Sequence, residues 1–163
     1  MKSSVKVLLL AVVLVLSVIE YAQAADNASH TVTVIVSSIN ELAITGGNVT
    51  LTCDTATAGQ EPEDAVDSTT ADLDWTTNEA SKKITVATNL GSPTFTLKVV
   101  AQNVTGGGIA APEVTLITTP RDFVTGVGMT TGGCDLQYTA SATAAQGTGS
   151  DAHTVTYTLT DDL

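Results

Sequence analysis

Aromatic side chains are scarce in this chain, as are positive charges, cysteines and histidines, and each shortage excludes something. Only 4% of the 163 residues are aromatic. Carbohydrate platforms commonly need exposed rings, and after residue 24 the supply is Trp75, Phe95, Phe123, Tyr138 and Tyr157. Six Lys and Arg stand against 17 Asp and Glu, for a formal net charge of −11. That is the wrong sign for neutralising nucleic-acid phosphates or anionic lipid. Two cysteines are too few for a disulfide scaffold or a four-thiolate metal site. The two histidines are His30 and His153. Ser150-Asp151-Ala152-His153 holds the residue types of a hydrolase triad, but a nucleophile, base and orienter must converge from separate segments. Cys134 has no histidine within ten residues on either side, which removes a blue-copper arrangement. The composition therefore points away from an enzyme.

Long apolar runs are missing too. Val7–Ile19, 13 residues, follows Lys2 and Lys6 and precedes Ala22-Gln23-Ala24. A membrane span needs about 20 apolar residues. A basic start, a short apolar run and small residues two apart are the marks of a secretory signal peptide, with cleavage after Ala24. Residues 25–163 then form a single acidic domain with four bases (Lys82, Lys83, Lys98, Arg121), 16 acids and no span of its own. The expected location is secreted or extracytoplasmic, at the cell surface or in the periplasm. Such acidity also suits a saline habitat, where counterions screen self-repulsion.

What the domain does have is alternation. Val32, Val34 and Val36 alternate with Thr and Ile, and Val49, Leu51 and Cys53 alternate with Thr. The same period of two covers 72–75, 84–86, 94–99, 114–116, 136–142 and 154–160. Alternating Val and Thr is the pattern of strands with one face buried and one wet. Ile39–Ile44 and Phe123–Met129 are candidates for additional strands. No window keeps a 3.6-residue period, and the breaks carry glycine at Gly46-Gly47, Gly91, Gly106–Gly108 and Gly132-Gly133. The expected fold is all-β: an antiparallel β-sandwich of about 8 strands, immunoglobulin-like or pilin-like.

Cys53 shares its parity with Val49 and Leu51, and Cys134 shares its parity with Leu136 and Tyr138. Both thiols are thus expected on core faces, and an oxidising compartment would pair them as an inter-sheet disulfide. Closing so long a loop would stabilise the fold by roughly 4–5 kcal/mol. The order Cys53, Trp75, Cys134 is similar to that of immunoglobulin domains, although the tyrosine follows the second cysteine instead of preceding it.

An acidic loop spans 54–74, with Glu61, Glu63, Asp64 and Asp67 at its centre. Clustered carboxylates suit Ca²⁺, which takes six to eight oxygen ligands. The spacing matches no EF-hand loop, so a calcium or glycan module is the second reading, beside a solvated loop. Asn27, Asn48 and Asn103 begin Asn-x-Ser/Thr triplets, which carry meaning only in a eukaryotic secretory pathway. Both ends of the domain carry the same word, His30-Thr-Val-Thr-Val and His153-Thr-Val-Thr-Tyr157. A terminal amphipathic strand can pair within its own sheet or complete a neighbour's.

With its signal peptide, Thr-rich alternating strands, paired cysteines and closing strand after Gly149, the chain resembles small secreted all-β subunits of bacterial surfaces, the fimbrial and spore-coat-U-like group. It departs from pilins of the chaperone–usher type by ending Asp161-Asp162-Leu163. The resemblance implies a non-catalytic structural or adhesive protein, self-associating or binding other surface proteins, with Val32, Val34 and Val36 donated as a strand.

Overall fold

A computed structural model describes residues 26–162, so the signal segment 1–24 lies outside the described residues. Residues 26–36 and the domain from Ser37 onward are two separate units. The domain is all-β. Its strands are β1 (Asn40–Gly46), β2 (Ala65–Asp67), β3 (Ala71–Thr77), β4 (Lys82–Thr88) and β5 (Thr96–Gln102). There follow β6 (Ile109–Ala110), β7 (Val114–Thr115), β8 (Arg121–Val127), β9 (Thr130–Ser141) and β10 (Val155–Asp161). One 3₁₀ turn, Ala144–Gln146, bridges β9 and β10.

The strands form two sheets in which every pairing is antiparallel. The larger runs β1-β3-β9-β5-β7, with β2 also on β9, and the smaller runs β10-β4-β8-β6. Long β9 organises the larger sheet: its first half pairs with β3, its second half with β2, and its other edge with β5. The turn from β2 to β3 is held by Asp67, which accepts from the Thr70 amide at 3.0 Å and the Thr70 hydroxyl at 2.7 Å. These bonds, led by the Thr70 hydroxyl, lower the pKa of Asp67. Gly46 ends β1 against this turn with φ of +95°, and a Cβ there would collide with the Thr70 carbonyl.

Alternation decides the core, as expected. Leu73, Trp75, Val99, Leu136 and Tyr138 face inward from the larger sheet, and Ile84, Val86, Phe123, Val124 and Val127 from the smaller one. The sheets are further joined by a hydrogen bond of 2.9 Å between the Tyr138 and Tyr157 hydroxyls. The Phe123 and Tyr157 rings meet at 5.1 Å in a tilted pair.

Several expectations are corrected. Neither 30–36 nor 49–53 is a strand, while two short strands, β2 and β6, arise where none is expected. Gly132-Gly133 is not a break but lies inside β9. A Cβ at Gly132 would stand 2.6 Å from the Trp75 indole, so the glycine makes room for that ring within the sheet.

The cysteines are not bonded to each other. The Cys53 thiol lies 3.4 Å from the carbonyl of Ala140. Ala140 is six residues along β9 from Cys134, about 20 Å at strand rise. Disulfide Cα atoms are usually less than about 7 Å apart, so shared core parity does not bring these two into reach. Burial, and then the nearby Asp135, Asp72 and Asp74, push the Cys134 thiol up to about 12, which keeps it protonated and unreactive.

Candidate functional site

The residue types that could carry chemistry are used locally. Among the described residues, no three His, Cys, Asp or Glu side chains come together as metal ligands. Of the four carboxylates expected around calcium, Glu61 accepts from the Ala144 amide at 2.6 Å and Glu63 from the Thr55 hydroxyl at 3.3 Å. Asp67 serves its turn, and Asp64 faces solvent. The acidic segment is thus divided among a bridge at Ala56 and Pro62, the strand β2 and a turn, each with its own partners.

Asp151 and His153 likewise have local partners. Asp151 accepts from the Phe95 amide at 2.8 Å, and the His153 Nδ1 meets the Thr88 hydroxyl at 3.0 Å. They tie the segment before β10 to the end of β4, through Thr88, and to the loop between β4 and β5, through Phe95. The Asn103 side chain donates to Asp135 at 2.6 Å. No aromatic ring among the described residues is exposed.

Surface geometry offers more than side-chain chemistry does. In an antiparallel pair, directly opposed residues share a face. Leu42 lies opposite Trp75, and Ile44 opposite Leu73, so both point to the core side. Yet Ile44 is 53% exposed, whereas Leu73 beside it is fully buried. Across from them, Val155, Tyr157 and Leu159 on β10 lie opposite Thr88, Val86 and Ile84. Those partners are buried, while the three β10 residues are only half-buried. The two sheets therefore leave one side open. A shallow cleft of about 260 Å³ lies there, lined by Leu42, Ala43, Ile44 and Leu73 of the larger sheet and Val155, Thr156 and Tyr157 of the smaller. β1 and β10 are the edge strands of their sheets on this side, each with an unpaired row of backbone groups.

A polar clamp closes one end of that side. Glu79 accepts from the Ser38 hydroxyl and the Asn40 amide, both at 2.7 Å, and pairs with Lys82 at 2.8 Å. Lys82 also reaches Asp161 on β10 at 2.6 Å. The Lys82 ammonium, then Asn40 and Ser38, hold Glu79 down at about 2. Asp161 and Glu79 raise the pKa of Lys82. Asn78 binds the chain just before β1, donating to the Ser37 carbonyl at 2.7 Å and accepting from the Ile39 amide at 2.8 Å.

The third feature belongs to the other unit. Val32, Val34 and Val36 are 70%, 81% and 73% exposed, and Ile35 is also exposed. Residues 27–37 contain no Asp, Glu, Lys or Arg, although the chain as a whole carries −11. An alternating apolar segment without a strand partner is thus present among the described residues. Sequence reasoning located this segment but missed the cleft. Its only signal was the apolar parity of Leu42 and Ile44 within Ile39–Ile44. The chain matches no protein-family model, no curated protein and no solved structure.

Proposed function

We propose that this protein is a non-catalytic structural or adhesive surface protein, exported to the cell surface or periplasm, where it serves as a fibre or coat subunit assembling by strand addition through residues 30–37. The observation that carries this reading is the exposure of Val32, Val34 and Val36 on an alternating, uncharged segment. Burying such side chains is favourable at roughly 25 cal/mol per Å², and pairing the segment's backbone satisfies its donors and acceptors. The occupation of Asp151, His153 and the acidic-loop carboxylates in local hydrogen bonds supports the non-catalytic part. It also leaves calcium or glycan binding at 54–74 without a specific observation in its favour.

The test is removal of residues 26–37 from the chain that begins at Ala25, followed by sizing and electron microscopy. The expected result is loss of oligomers or filaments with the domain's β-sheet spectrum retained. Oligomers unchanged by the deletion would overturn strand addition. A full-length chain that stays monomeric would reduce the proposal to an adhesin or coat protein that works without polymerising.

A further inference from the structure

We propose that a pocket between β7 and the start of β8 binds a small hydroxylated carboxylate of the sugar-acid type, with its carboxylate on Arg121. This goes beyond the reading above and holds for a monomer as for an assembly.

The pocket lies away from β1 and β10, where the larger sheet ends in β7 and the smaller in β8 and β6. The chain crosses between the sheets twice here, through 111–113 and again through 116–120. A space of about 460 Å³ is left at the crossing, lined by 111–115, Arg121 and Asp122. Small-ligand sites usually measure about 300–1,000 Å³.

Three observations select the ligand. First, Arg121 is the chain's only arginine, and it stands in an unusual place. It lies opposite the buried Val86, so its register position faces the core side, yet the residue is exposed. Lys82, Lys83 and Lys98 each pair with a carboxylate, whereas Arg121 has no ion-pair partner among the described residues. A guanidinium offers a planar fork of donors that matches a carboxylate with two parallel bonds.

Second, acceptors flank that fork. Glu113 meets Lys98 through Oε2 and Asp122 meets Lys83 through Oδ1, both at 3.2 Å. Each keeps its other oxygen to accept from a ligand hydroxyl, and the Thr115 hydroxyl can donate or accept. No aromatic ring lines the pocket, so an uncharged sugar finds no stacking platform there.

Third, the local charge allows an anion. Of the four bases in residues 25–163, Lys83, Lys98 and Arg121 gather at this pocket. The acids they face are Glu113, Asp122 and Asp162, so the balance is even, while the rest of the domain is strongly negative. One negative charge is accommodated by the free guanidinium. A phosphate dianion beside two carboxylates is repelled.

The experiment titrates the chain from Ala25 with D-glucuronate, glucose, acetate and phosphate at about 0.15 M salt, where screening acts over about 8 Å. Calorimetry reads binding whether or not the chain assembles. The single arginine also gives a single guanidinium Nε–Hε signal in nuclear magnetic resonance, so the site reports on itself without mutation. Glucuronate should bind saturably, shift that signal together with the amides of 111–115, and bind at least tenfold more tightly than acetate. Glucose and phosphate should give no saturable change. Arg121→Lys keeps the charge but loses the fork, and should weaken glucuronate at least tenfold at the parent's thermal midpoint. An unmoved Nε–Hε signal in glucuronate would overturn the site. Equal binding of acetate and glucuronate would reduce Arg121 to a surface charge and overturn the ligand class, as would phosphate binding as tightly as glucuronate. Parent-like binding by Arg121→Lys would overturn the role of the fork. None of these outcomes bears on strand addition, which is judged by removal of 26–37.

Discussion

β1 and β3 are adjacent strands of one sheet, paired residue for residue over seven positions, yet they live in different environments. The inward residues of β3, Ala71, Leu73, Trp75 and Thr77, are all buried. The inward residues opposite them on β1, Gly46, Ile44, Leu42 and Asn40, include none that is buried. The two strands share one ladder and one parity, but β3 also pairs with β9 on its other side whereas β1 ends the sheet, where the second sheet does not reach. A strand's pattern selects a face, and its neighbours in both sheets decide whether that face is covered.

The largest effect expected from this contrast is on stability. Leu73→Ala empties a fully enclosed position and should cost about 2–5 kcal/mol in denaturant unfolding. Ile44→Ala, one ladder step across, should cost about 0.5 kcal/mol or less in the monomer. Equal losses at the two sites would show that the cleft is closed in solution and would erase the contrast between the strands.

The same contrast explains what could be read in the sequence. Parity correctly placed Leu73, Trp75, Ile84, Val86, Leu136 and Tyr138 inside, because all of them lie on strands with neighbours on both edges. It could not tell His30–Val36 from His153–Leu159, since the two share a pattern and only the second has a partner strand, β4. It placed Cys53 and Cys134 on core faces but carries no information on position along β9, where Cys53 meets Ala140, six residues from Cys134. Gly132 reads as a break because nothing local reports the Trp75 indole that occupies the space of its Cβ. β2 was hidden because Ala65-Val66-Asp67 is too short to show a period. The cleft is a missing neighbour, and a missing neighbour leaves no mark on the residues beside it except unexplained apolar parity at Ile44.

A second, intermediate effect concerns the bond that joins the two sheets next to the open side. Tyr138 comes from β9 and Tyr157 from edge strand β10, and their hydroxyls meet at 2.9 Å. Tyr157→Phe leaves the Tyr138 hydroxyl buried without its partner and should cost about 1–3 kcal/mol, while changing both residues to Phe should restore much of that loss. Burial raises the pKa of both phenols. A raised phenol pKa means that the fold favours the neutral form. The stability it contributes is complete below the ordinary value near 10 and is lost as pH rises above it. Ultraviolet titration of the chain from Ala25, which has no other tyrosine, should therefore show no tyrosinate near pH 10 until the fold opens. Ionisation of either phenol at its ordinary pKa with the fold intact would mean that β10 separates from the larger sheet, making the open side wider than one cleft.

The smallest effect expected is at the clamp, where Glu79 joins the start of β1 to β4 and, through Lys82, to the end of β10. Its carboxyl is held at about 2, below its ordinary 4.5, chiefly by Lys82. A depressed acid contributes stability that is complete above 4.5 and disappears as pH falls through 2. The pair is open to water, so salt should weaken it and the shift should be slight. Glu79→Gln keeps an acceptor oxygen for only one of Ser38 and Asn40, which bond different oxygens of the carboxylate, and gives up the charge facing Lys82. The unfolding midpoint of the parent should exceed that of Glu79→Gln at neutral pH, and the gap should close between about pH 4.5 and pH 2. The protection of the Ile39 amide, whose N–H is bonded to Asn78 beside the clamp, should fall over the same range once exchange is referred to its intrinsic rate at each pH. A gap that stays constant across that range would mean the charge does not hold β1 in place. The start of that strand would then be fixed by Asn78, by the Thr77 hydroxyl that donates to the Asn40 side chain at 2.7 Å, and by the ladder to β3.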